Sequence, residues 1–80
     1  MDLQHVLAAL AHGNYETTLH ARRRMAERNV THKDILQCGA TGHASLEKDG
    51  KVRVDGFDCD GDDLTLVCVD EGGVLIITVF

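Results

Sequence analysis

Residues 63–80 read DLTLVCVDEGGVLIITVF. Two runs rich in Val, Leu and Ile flank an acidic, glycine-containing centre, the pattern of two strands joined by a tight turn. With the turn at Glu71-Gly72 or Gly72-Gly73, Val69 falls near Val74 and Val67 near Ile76. One face of the hairpin then holds Leu64, Leu66, Cys68, Leu75, Ile77 and Val79, and the other Thr65, Val67, Val69, Val74, Ile76 and Thr78. Both faces are largely apolar. A sheet covered by helices on one side normally alternates apolar and polar, so the second face calls for a second cover. A second copy or a dedicated partner supplies it most simply, and two layers built within the chain are the alternative.

Upstream of the hairpin, HASLE and KVRVDGF read as further strands, separated by the turns KDG and DCDGD. The first half changes period. Leu3, Val6, Leu7 and Leu10 share one face of a helix over about 3–12, with Asp2 as cap and Gly13 as stop. A second helix spans about 18–28, capped by Thr17 or Thr18, with Ala21, Met25 and Ala26 as its apolar positions. Thr31 and Asp34 have capping-box spacing and start a short helix over about 32–38 that ends at Gly39. NYET, 14–17, is a connection or a short extended piece. The expected fold is α+β, one domain over 1–80, with three N-terminal helices packed on a C-terminal antiparallel β-meander.

The 80 residues carry a net charge of −5, which argues against non-specific nucleic-acid binding. Aromatics are Tyr15, Phe57 and Phe80 only, so an aromatic platform for bases is not expected. MDLQHVLAALAHG lacks the basic n-region of a signal peptide, and no apolar run reaches membrane-spanning length. Cys38, Cys59 and Cys68 are odd in number and widely spaced, which favours free buried thiols in a reducing cytoplasm. Cys38 and His43 have C-x₄-H spacing without a second pair, so neither a metal nor a cofactor is expected. DCDGDD, 58–63, has the outline of a calcium loop, but Gly61 comes one position early and no Glu follows at the twelfth place; hairpin turn chemistry explains it better. GATG, 39–42, reads as a helix stop and turn.

Against this acidic background, HARRRMAERN at 20–29 holds four of the eight Lys and Arg residues. His20, Arg24 and Arg28 recur every four residues and form one helical stripe. Arginine binds phosphate oxygens bidentately, and histidine moves protons near neutral pH, so the stripe can serve a phosphodiester. The ordinary alternative is a solvated face, with Arg23 paired to Glu27 and Glu16 close to His20.

LHARRRMAERNVTHKDI and the ending VDEGGVLIITVF resemble a family of small bacterial proteins of unknown function with an H-A-x-x-R-M-x-x-R signature. His20, Ala21, Arg24, Met25 and Arg28 match it directly, Val30-Thr31 matches its continuation, and Ile77-Thr78-Val79 its last strand, so that about 15–80 is covered. That family in turn resembles RelE- and MqsR-like toxins of toxin–antitoxin systems. The resemblance implies a RelE-like fold, an antitoxin partner, and an mRNA endoribonuclease that uses the RNA 2′-hydroxyl as nucleophile. His20 would transfer the proton, and Arg24 and Arg28 would hold the scissile phosphate. The last strand has no basic residue, so strand-borne charge for binding falls to Lys51 and Arg53. The alternative function is a non-catalytic module, homo-oligomeric or antitoxin-like, in which the stripe only pairs with acids.

Overall fold

The Asp2 carboxylate accepts the Gln4 N–H and starts the first helix, α1 (Leu3–Ala11). The computed structural model describes residues 2–80. Thr18 caps α2 (Leu19–Arg28) by accepting the Ala21 N–H, and Asn29 ends it in the left-handed region, at φ 55°. Asn tolerates that conformation because its short polar side chain bonds locally. Thr31 and Asp34 form the expected capping box and start α3 (His32–Thr41). Asp thus performs the task usual for Glu.

α3 runs past Gly39, where the sequence placed its end. Gly39 is a crossing point: a Cβ there would lie 2.6 Å from the Ala11 nitrogen and 2.7 Å from Leu10 Cβ. The glycine lets α1 and α3 touch backbone to backbone. The helix stops at Gly42 instead, where a Cβ would meet the Cys38 carbonyl at 2.4 Å.

Five strands form one sheet in the order β1-β5-β4-β3-β2: β1 (Tyr15–Thr17), β2 (His43–Leu46), β3 (Val52–Phe57), β4 (Asp63–Asp70) and β5 (Val74–Val79). β2 to β5 pair antiparallel in chain order. β1, the NYET segment, adds a parallel edge strand with Tyr15 opposite Val74 and Thr17 opposite Ile76. The sheet is therefore mixed, where a purely antiparallel meander was expected.

The hairpin register also departs from expectation. Asp70 faces Val74 across a three-residue turn, Glu71-Gly72-Gly73, in which both glycines have positive φ. Val69 pairs with Leu75 and Cys68 with Ile76; the register then shifts, and Val67 pairs with Thr78. Ile77 is the extra residue of this bulge. A one-residue slip exchanges faces. Val74 and Ile76 therefore join Leu64, Leu66 and Cys68 on the buried side and Leu75 moves to the other, while Val79, past the bulge, keeps the buried side expected of it.

One cluster of buried residues joins that side to the helices. Val6 and Leu10 come from α1, Ala21 from α2, Ile35 and Cys38 from α3. The opposite face carries Arg53, Asp55, Thr65, Val67, Val69, Leu75 and Thr78, and among the described residues no helix covers it. It is apolar in its centre and polar towards β3. Among the described residues no helix is long and apolar enough to cross a membrane.

Candidate functional site on the second helix and the open sheet face

β1 covers the edge of β5 only as far as Ile76. Beyond that point the outward carbonyls of β5 need other donors. The start of α2 and its next turns provide them. The Thr18 N–H donates to the Ile76 carbonyl at 3.1 Å and the Thr18 hydroxyl to the Ile77 carbonyl at 3.3 Å. Nearly two turns further, Arg24 Nε donates to the Val79 carbonyl at 3.3 Å. α2 therefore seals the sheet edge that β1 leaves open.

This geometry sorts the stripe. His20 Nε2 lies 3.3 Å from Thr78 Oγ1, a side chain of the open face. Arg24 is half-buried and spends Nε on the strand, and its Nη1 lies 3.5 Å from Glu27. Arg28 is exposed in the last turn, with no hydrogen-bond or ion-pair partner among the described residues. His20 and Arg24 thus share β5, whereas Arg28 stands apart. Arg24, not the expected Arg23, pairs with Glu27, because the bond to Val79 holds its guanidinium over that side of the helix. No ion pair joins Glu16 to His20 among the described residues. Arg22 and Arg23 are exposed as well but project from α2 in other directions, so the basic ridge of α2 beside β5 is Arg24 with Arg28.

Lys51 and Arg53 both carry acidic partners. Lys51 Nζ is 3.0 Å from Asp49 in the preceding turn. Arg53 Nε donates to both Asp55 oxygens, at 3.2 and 3.1 Å, and its guanidinium lies 5.5 Å from the centre of the Phe80 ring. The Arg53 bond lowers the Asp55 pKa, and the hydroxyl of Thr65, 2.8 Å away, adds to the effect. Arg53, Val67 and Thr78 form one row across three strands. Two strand spacings, roughly 10 Å, therefore separate Arg53 from Thr78, the neighbour of His20. A concavity of about 390 Å³ opens beside this row, lined by Arg53, Asp55, Phe57, Asp63 and Thr65 together with Gly56.

Sequence reasoning missed Thr78, Phe80, Asp55 and Phe57 as neighbours of this site. Alternation in VRVDGF places Arg53, Asp55 and Phe57 on one face and was legible. The face of Thr78 was legible too, but its contact with His20 and that of Arg53 with Phe80 required the tertiary placement of α2 and of the strands.

The other motifs resolve as structure. Asp58 Oδ1 accepts the Asp60 and Asp62 N–H groups at 2.9 Å each, and Gly61 takes φ +83°, so DCDGDD is a self-bonded turn. Asp34 anchors it by accepting the Cys59 N–H at 3.0 Å. That bond and the Thr31 N–H lower the Asp34 pKa to about 2. Cys38 is buried and donates to the Leu64 carbonyl, while His43 is exposed, so the C-x₄-H pair does not converge. Among the described residues no three His, Cys, Asp or Glu side chains are placed to hold a metal. Burial raises the Cys38 thiol pKa to about 11 and that of Cys68 to about 12. Cys59 is exposed rather than buried, because it sits in the projecting acidic turn.

A family model described as "Domain of unknown function (DUF4258)" matches residues 17–80. No curated protein and no solved structure matches the chain. The matched stretch begins beside the α2 cap and takes in the whole stripe, α3 and the four strands of the antiparallel part of the sheet, most of the chain. By that match the protein belongs to the DUF4258 family.

Proposed function

We propose that this protein is a toxin-type component of a bacterial toxin–antitoxin system that acts on RNA in the cytoplasm. The ridge of α2 binds the phosphodiester, and His20 accepts the 2′-hydroxyl proton as that oxygen attacks phosphorus. The 5′-oxygen leaves and takes its proton from water. The Nη groups of Arg24, with Arg28, stabilise the added negative charge on the phosphoryl oxygens. One observation carries this reading: His20 stands exposed on the uncovered sheet face, with Arg24 one turn on against the same strand. An antitoxin or a second copy of the chain covers the apolar centre of that face between encounters with RNA.

The bond from Arg24 Nε to Val79 favours a second reading. In it the stripe is structural and the chain is a non-catalytic binding module. Cleavage of a defined RNA by the wild-type protein and by His20→Ala separates the two. A general acid or base contributes roughly 10²–10⁴-fold. An active wild type and an inactive, fully folded His20→Ala support the nuclease. An inactive wild type, with free RNA or with ribosomes, leaves the binding module.

A further inference from the structure

Three aromatic side chains are few, but two of them, Phe57 and Phe80, lie on the face that no helix covers, 46% and 40% exposed. Each ring thus forgoes part of the stabilisation that full burial would give. Tyr15 shows the contrast: it is half-buried, packs against the core and stacks on His32.

The register places both phenyl rings in one neighbourhood. Phe80 exchanges both backbone hydrogen bonds with Thr65, at 2.7 and 2.8 Å, and Thr65 pairs with Asp55. Phe57 is two residues beyond Asp55 on β3 and borders the concavity with Asp55 and Thr65. Two strand spacings across and two residues along put the Cα atoms of Phe57 and Phe80 about 12 Å apart. Arg53 lies over the Phe80 ring and adds a second flat, cationic surface. The basic ridge of α2 flanks the β5 side, where His20 reaches Thr78. The acidic turn 58–63 bounds the opposite end and repels a phosphate chain.

We infer that the open sheet face is a stacking platform for single-stranded RNA, in which bases lie on Phe57 and on the Phe80–Arg53 pair while the phosphates follow the α2 ridge. The inference rests on the RNA reading above and adds the strandedness and the base contacts. Charge complementarity favours this occupant: the cations line one border of the platform and the aromatic surfaces lie inward of them. Stacking on aromatic rings is sequence-tolerant and discriminates against duplex, whose bases are already stacked.

The test is the affinity of a fluorescein-labelled twelve-nucleotide single-stranded RNA and of its duplex, titrated at several salt concentrations. The wild type binds the single strand in preference. Phe57→Ala and Phe80→Ala each weaken that binding by roughly 5- to 150-fold and leave the salt slope unchanged. Phe57→Leu, which keeps the apolar bulk without the ring face, weakens it as well. Arg28→Ala flattens the salt slope by roughly 0.7 units. Single-strand binding that survives both Phe→Ala substitutions overturns the platform and leaves the RNA reading standing. Equal affinity for duplex does the same. Absence of any RNA binding by the wild type removes both. Sedimentation in which Phe57→Ala or Phe80→Ala turns a dimer into a monomer, with RNA affinity unchanged, assigns the face to a second copy and overturns the platform.

Discussion

Arg24→Ala tests whether α2 is fastened to the sheet by the residue that also leads the basic stripe. The substitution removes a 3.3 Å hydrogen bond from Nε to the Val79 carbonyl and a 3.5 Å contact with Glu27. The second contributes little, since the Glu27 side chain is 62% exposed and a solvated i,i+3 pair stabilises by a few tenths of a kcal/mol. The first involves a charged donor and a carbonyl at the edge of the sheet. Hydrogen bonds to charged groups contribute about 1.5–3 kcal/mol. The arginine side chain is 35% exposed, so water partly replaces it at the carbonyl, and the lower end applies. The expected loss is about 1–2 kcal/mol, which for a domain this size lowers Tm by roughly 5–15 °C. Arg28→Ala, one helical turn on and without a partner among the described residues, should change stability by less than about 0.5 kcal/mol. Paired thermal and urea melts read the difference. Equal stability of Arg24→Ala and wild type would refute the edge-sealing argument, and so would equal losses at Arg24 and Arg28.

Gly39→Ala should destabilise by about 2–3 kcal/mol or more although alanine favours helices, because its Cβ meets α1 backbone at 2.6 Å; a urea midpoint at or above wild type would refute the close crossing. Asp34, with its pKa lowered to about 2 from 3.8, stabilises the fold fully above about pH 4, and that contribution is lost as pH falls towards 2. Asp34→Asn should therefore be less stable at neutral pH and show a flatter acid limb between pH 4 and 2, which melts across that range will check. Iodoacetamide under native conditions should modify Cys59 alone, and slowly, since its own pKa is raised by desolvation and by Asp34, while Cys38 and Cys68 react only after unfolding. Mass spectrometry of the intact protein counts the adducts.

Signals that act within one or two turns of chain were readable from the sequence. Asp2 and the Thr31–Asp34 pair cap the helices they were expected to cap, and Thr18 is the one of the two candidate threonines that caps α2, because a cap is a contact between residues two or three positions apart. Asp58 organises its turn for the same reason. The change from helical to alternating period separated the helices from the strands, and i, i+4 spacing put His20, Arg24 and Arg28 on one side of α2. Contacts between distant segments decided the rest. Gly39 looks like a helix stop until α1 lies across it. NYET becomes a parallel strand only because β5, some sixty residues later, presents a free edge. The three-residue turn moved Val74 and Ile76 into the core, since a one-residue slip exchanges faces, and the bulge at Val67/Cys68 then returned Thr78 to the face expected of it, where α2 brings His20 beside it. Arg24 illustrates the division most directly. Its place on the helix follows from a local period, but whether its guanidinium meets a phosphate or a carbonyl depends on a strand end fifty-five residues away, which no local pattern encodes.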